Sequence, residues 1–493
     1  MKKITAFLVS YLFLSIVLSS CNNSSTTKTD AKITDIPATT ASKEALASFT
    51  EGLNLLDLGD GIKARAAFSK AIAQDPKFGM AYLMRANTGT SAKEFADDIA
   101  SGKANVDSAS EGEKMYAEFM ETSLNGDRQK GLELAQKIAT TYPDAARAQV
   151  NLGNAYSGNN QEDKARGCYA KAIELNPKWV GGLGALAGSY MFNKPLDLKK
   201  AEENALKLTE LVPTSASAHI TLGDCYRAQN DFQKAKDAYA KAVSLDPKSP
   251  AAFYKLGHAN TYLGNLEEAR KNYADGGNND VNKTGALLNT AYTYLYGDDP
   301  KAASKYIMDQ VAANPGMETS QKNNCLTTVA QIAAHKGDAA TLKIVTDMMK
   351  PLNAQINIDL GNTAEVKMYG EAENLHWQAM TNIASGKFED AKNNLEAGKK
   401  VLEPIKDNRK LEGYEHDMGM LAMAQKNYAD AISHFEKANP TDTYNKYCLA
   451  KANEAAGNKD KATALYKEVA AYNFNEVGNA LVRNEVKQKL ANP

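Results

Sequence analysis

The chain has 493 residues, 43% of them hydrophobic and 24% charged, with a formal net charge of −1. That balance, with a mean hydropathy of −0.46, is ordinary for a soluble protein and leaves no basic excess for a nucleic-acid face. The length exceeds one globular core, a limit that repeat arrays escape because each unit contacts only its neighbours.

At the start, Lys2 and Lys3 precede an apolar run over residues 4–18 that is too short and too serine-interrupted to span a bilayer. The run ends at Leu18-Ser19-Ser20-Cys21, which resembles the lipobox of bacterial lipoprotein signal peptides. The resemblance implies a signal peptide over residues 1–20, with Cys21 as the lipidated N-terminus of the mature chain. Residues 21–42 are rich in Ser, Thr, Lys and Asp and read as a flexible tether. No later segment is apolar enough to span, so membrane attachment rests on the acyl chains, which are multiple and pass the threshold for stable anchoring. Asn22 stands where an aspartate would resemble an inner-membrane retention signal, and no acidic cluster follows. The expected place is the cell envelope, on the outer membrane and facing the periplasm.

Helical patterns then run to the end in units of about 34 residues. Residues 45–78 hold Gly52, Leu55, Ala64, Phe68, Ala71 and Pro76. Residues 79–111 and 112–145 are degenerate copies. The best unit is 146–179, with Leu152, Gly153 and Tyr156 on one helix, Ala165, Tyr169 and Ala172 on the next, and Pro177 as the stop. The copy at 180–215 carries an insertion near 193–196. Gly223, Tyr226, Ala235, Tyr239, Ala242 and Pro247 repeat the pattern, and residues 250–317 keep parts of it. Looser pairs follow at 318–350 and 365–401, separated by an expected break at 351–363. Better copies return at 412–439 and 442–471, before a charged capping helix over 475–490.

This spacing resembles the tetratricopeptide repeat, a helix–turn–helix unit of about 34 residues. The resemblance implies an all-α, right-handed superhelical solenoid of about twelve helix pairs with a C-terminal capping helix. It divides the chain into an N-terminal array over 43–350 and a C-terminal array over 364–493. First helices would line a concave groove for a protein or peptide partner. On a helix turning about 100° per residue, that lining comprises Arg147, Asn151 and Asn154, then Gly181, Ala185 and Gly188, then Thr221 and Asp224, then Lys255 and His258. Its glycines either admit a partner backbone or relieve crowding between helices. A carboxylate clamp of the chaperone-binding type is only partly echoed.

Chemistry is sparse. Cys168, Cys225, Cys325 and Cys448 form no CxxC pair and read as buried thiols. The six histidines show no metal spacing, and the glycine-rich run at 181–188 has neither the preceding strand nor the Lys-Ser/Thr of a phosphate loop. No catalytic set, metal or cofactor is expected. The reading is a non-catalytic binding scaffold on an envelope membrane. The alternative is a glycan- or nutrient-binding lipoprotein similar to the starch-binding proteins that contain such helices. It ranks behind, because there are two tryptophans, Trp179 and Trp377, and the turns are short.

Replacing Cys21→Ser should abolish incorporation of labelled fatty acid and move the chain from the membrane to the soluble fraction. A wild-type chain that takes up no label would remove the lipid from this account.

Overall fold

A computed structural model describes residues 35–491 except Leu58 and Thr90. The leader and Cys21 lie outside the described residues. Among these there are 25 helices and no strand. In chain order they are α1 (Lys43–Asp57), α2 (Gly61–Gln74), α3 (Gly79–Ala86), α4 (Ala92–Ala104), α5 (Glu111–Asn125), α6 (Arg128–Thr141), α7 (Ala146–Gly158) and α8 (Glu162–Leu175). Then come α9 (Val180–Phe192), α10 (Leu198–Leu211), α11 (Ala216–Ala228), α12 (Phe232–Leu245), α13 (Pro250–Tyr262), α14 (Leu266–Asn279), α15 (Thr284–Tyr296) and α16 (Pro300–Ala313). The rest are α17 (Thr319–Lys336), α18 (Ala339–Asp359), α19 (Ala364–Ala384), α20 (Phe388–Leu402), α21 (Glu412–Ala424), α22 (Tyr428–Lys437), α23 (Thr443–Ala455), α24 (Lys459–Ala471) and α25 (Val477–Ala491). Twelve pairs and a last helix are thus the repeated architecture that the 34-residue period predicts.

The turn inside each pair is made the same way. Gly126, Asn160, Asn230, Gly264 and Asp298 end first helices with positive φ, a conformation in which glycine and asparagine carry little penalty. An aspartate often follows and caps the second helix. Asp127, Asp231, Asp299 and Asp338 each accept the backbone N–H three residues on, worth about 1 kcal/mol apiece. The insertion after α9 is held by the pair before it. The Arg166 guanidinium donates to Ser189 Oγ and to the carbonyls of Ser189, Asn193 and Pro195 at 2.7–3.0 Å.

The chain forms two compact units. Among the described residues the first contains 35–226 together with 237–252. Its packed chain begins earlier than the expected tether boundary at 42. Ile36 is buried with Phe49, Phe68 and Phe78, and Thr39 donates its N–H and hydroxyl to the Glu113 carboxylate at 2.8 and 2.6 Å. The non-helical stretch from Asp35 to Ser42 is therefore fastened to this unit through Ile36 and Thr39.

The second unit contains residues 227–236 and those from 253 onward. Two expectations are corrected here. The array does not break at 351–363, because α18 continues through Pro351 to Asp359. A proline inside a helix costs about 3 kcal/mol, which packing offsets: Met349 is buried, and Asn353 Nδ2 donates to Asn374 Oδ1 at 2.9 Å. The helix ends where Gly361 and Asn362 turn to positive φ and Thr363 caps α19. The division into units accordingly falls within residues 227–252 rather than between residues 350 and 364. The last helix, α25, is more than an end cap, since it packs on α15, α17, α23 and α24.

Ala165 is fully buried between Tyr169 and Ala185, whereas Ala170 on the same helix is exposed. Overpacking a core costs about 1–3 kcal/mol. Thermal denaturation should therefore show Ala165→Leu melting below wild type and Ala170→Leu melting with it.

Candidate functional site

In the regular pairs, a glycine of the first helix meets an aromatic ring of the second. A Cβ added at Gly52 or Gly419 would lie 2.5 Å from the ring of Phe68 or Phe435, and Gly153, Gly223 and Gly257 stand against Tyr169, Tyr239 and Tyr273 in the same way. A side chain at those glycines would force the helices apart, which explains glycine where helix propensity alone disfavours it.

The residue after the glycine covers the ring's far end, and its chemistry follows the ring. Tyr169 donates its hydroxyl to Asn154 Oδ1 at 2.9 Å, and Tyr239 donates to Asp224 Oδ1 at 2.6 Å. Tyr273 Oη lies 3.0 Å from His258 Nδ1. Where the ring is phenylalanine, the residue is Leu53 or Met420, each packed on the apolar core around Phe68 or Phe435. Asn154, Asp224 and His258, three of the expected groove residues, are thus partners of tyrosine hydroxyls within their own pairs.

Other members of that lining are also engaged or buried. Arg147 makes a two-pronged ion pair with Asp57 at 2.8 and 2.9 Å, with Asp35 3.4 Å from its Nε. Burial works against the guanidinium's charge, but Asp57 and then Asp35 hold its pKa above the usual value. Trp179 lies 5.3 Å from the same guanidinium and donates its Nε1–H to Asp57 Oδ2 at 2.9 Å. The Trp179 ring also covers Gly181, where a Cβ would sit 2.6 Å from it. Ala185 is 7% exposed, and Gly188 is buried. Thr221 donates back to the Ser217 carbonyl at 3.1 Å, and Lys255 is buried. Asn151 keeps a buried amide nitrogen with no hydrogen-bond partner. Of the ten residues expected to line an open strip, Gly181, Ala185, Gly188, Thr221, Asp224 and Lys255 are buried, while Arg147, Asn151, Asn154 and His258 are half-buried.

The second unit shows what a first-helix face can hold. The irregular segment at residues 472–476 crosses α13 and α15. Asn475 Nδ2 donates to Asn289 Oδ1 at 2.8 Å and to His258 Nδ1 at 3.1 Å. Asn473 Nδ2 donates to Asn230 Oδ1 at 2.6 Å, and Phe474 lies 4.3 Å from the Arg227 guanidinium. From α25, Asn479 Nδ2 donates to Tyr262 Oη at 3.1 Å, and Asn484 Nδ2 to the Tyr296 carbonyl at 3.0 Å. An amide nitrogen can only donate, so His258 Nδ1 accepts and the ring is neutral. Burial, with Arg227 and Lys255 nearby, accordingly holds His258 well below its usual pKa. The fit is incomplete: Oδ1 of Asn473, Asn475 and Asn479 is buried without a hydrogen-bond partner. Such an atom costs about 1–3 kcal/mol.

These amides were not anticipated as a site. The available signal was Asn475, Asn479 and Asn484 in the expected charged capping helix, with Asn473 just before it. Three other histidines have partners within the chain. His376 pairs with Asp417 at 2.6 Å, His434 with Glu415 at 2.7 Å, and His335 with Tyr444 at 3.0 Å. Burial takes His335 down to about 4 and pushes the Cys325 thiol up to about 12.

Models of the tetratricopeptide repeat match residues 49–112, 146–179 and 223–262. The chain carries tetratricopeptide repeats. Two crystal structures of MamA match it at 20% identity over 33% of this chain and over 93% and 87% of theirs, each with a TM-score of 0.27. No curated protein matches the sequence. The matched stretches 146–179 and 223–262 contain the Gly153–Tyr169 and Gly223–Tyr239 contacts, and Tyr273, the partner of Gly257, lies beyond the second.

Removing the acceptor of a repeat tyrosine should destabilise, and removing the hydroxyl as well should compensate. Asn154→Leu is expected to cost about 1 kcal/mol, and Asn154→Leu with Tyr169→Phe to recover most of it. Denaturant unfolding of the two single variants and the double variant measures the coupling.

Proposed function

We propose that the chain is a non-catalytic scaffold that grips a polypeptide partner on the first-helix face of its repeats, held at a bacterial envelope membrane by lipid on Cys21. The observation that carries this reading is the segment at residues 472–476. The face formed by Asn230, His258, Tyr273 and Asn289 already holds a stretch of irregular polypeptide through side-chain hydrogen bonds. Hydrogen bonds to amide side chains give such a face specificity for a peptide of defined sequence. The lipobox-like Leu18-Ser19-Ser20-Cys21 supports the anchor, with Asn22 favouring the outer membrane and the lack of an acidic cluster after Cys21 favouring a periplasmic orientation.

The glycan-binding alternative is weakened by where the tryptophans sit. Trp179 is tied to Asp57, and Trp377 is 4% exposed with its Nε1–H donated to Glu373 at 2.6 Å. Trp377 is thus enclosed, and Trp179 is held against Asp57 and Arg147.

The test compares wild type with Asn230→Ala/His258→Ala/Asn289→Ala, each isolated from native membranes after mild crosslinking. A defined polypeptide should co-purify with wild type and fall at least about tenfold in the variant, with helical content by circular dichroism unchanged. The same polypeptides at the same yield on both chains would overturn the assignment of this face.

A further inference from the structure

We propose that the segment at residues 472–476, with α25, is a displaceable occupant of the second unit's first-helix face, and that the partner binds there by presenting its own asparagine–aromatic–asparagine segment. This rests on the polypeptide-scaffold reading and names the partner's chemistry and the gate.

Three observations carry it. First, the contacts reach far beyond what a cap requires. A capping helix need only cover the last pair, α23 and α24, yet Asn475 meets His258 and Asn289, and Asn473 meets Asn230. Second, the face meets the segment's amides with acceptors, namely Asn230 Oδ1, Asn289 Oδ1, His258 Nδ1 and Tyr262 Oη. The three asparagine Oδ1 atoms remain buried and unpartnered. Permanent core segments rarely leave such groups unmet, so the occupant is held by less than it could be. Third, the occupant is one body. Asn479 Nδ2 donates to the carbonyls of Tyr472 and Phe474 at 3.3 Å, and Arg483 donates to the Tyr472 carbonyl at 3.1 Å. The irregular segment is therefore folded onto α25 and lifts with it.

The chemistry of the face selects the partner. Its acceptors are neutral, and Arg227 lies over Phe474. A guanidinium beside neutral acceptors disfavours lysine or arginine as the incoming donor and favours an uncharged amide. The aromatic residue between the amides takes the cation–π contact now made by Phe474.

Two measurements on the full chain test this. In native-state hydrogen exchange of wild type, the amides of α25 should exchange at least about tenfold faster than those of α13 and α15, through an opening that leaves the repeats closed. Equal protection in all three helices would overturn the proposal. The second measurement titrates a labelled synthetic peptide with the sequence of residues 471–479 and follows its anisotropy. Binding should be at least about tenfold tighter to Asn475→Ala/Asn479→Ala than to wild type, and should be lost when His258→Ala and Asn289→Ala are added. A folded Asn475→Ala/Asn479→Ala chain that ignores the peptide, or binding indifferent to His258 and Asn289, would overturn the proposal. If that variant does not fold, the exchange measurement on wild type decides. Partner capture that persists in the membrane experiment while both measurements fail leaves the scaffold standing and removes the gate.

Discussion

The close approach of a first-helix glycine to a second-helix aromatic ring is the contact on which the repeats depend. At Gly153, Gly223 and Gly257 there is no room for a Cβ beside the tyrosine, and at Gly52 and Gly419 none beside the phenylalanine. Because the ring is clamped there, its far end always lies near the residue after the glycine. A hydroxyl at that end must be met, so Asn154, Asp224 and His258 stand beside tyrosines, while Leu53 and Met420 stand beside phenylalanines. One steric contact thus sets both the helix spacing and the polarity of a neighbouring position.

A consequence is that much of the polar inventory of the first helices is used inside the chain. In the first unit, Arg147 and Trp179 are joined to the buried Asp57 in one network, and the stretch from Asp35 to Ser42 is fastened to Glu113 and Asp75. In the second unit, amides from residues 473–484 cover the corresponding face of α13 and α15. Each unit by itself therefore holds a non-helical stretch of its own chain among its helices. Buried polar groups carry a high cost if left alone, and long arrays of polar first helices offer many places to satisfy them.

How much was legible follows the range of the interaction. The pairs at 146–179 and 216–249 were readable to within a residue or two, because glycine, proline and turn asparagines act on adjacent residues. The misreading of 351–363 as a break has the opposite origin. Pro351 is a local stop signal, and tertiary packing of Met349 and Asn353 overrode it. The role of Asn154 and Asp224 was within reach, since each stands fifteen positions before a tyrosine that the same pattern places in the core. Reading the first-helix face by angle alone missed the hydroxyl waiting behind it.

The sequence by itself determined the helices, their pairing and their turns, since a period of 34 residues reports contacts between neighbours and repeats them along the chain. Only the tertiary structure decided what fills the first-helix faces. Arg147 finds Asp57 across 90 positions, and Asn475 finds His258 across 217. Contacts of that span recur nowhere in the period and leave no mark in composition or spacing. They are set by how several pairs pack together, which depends on the volumes of many side chains at once.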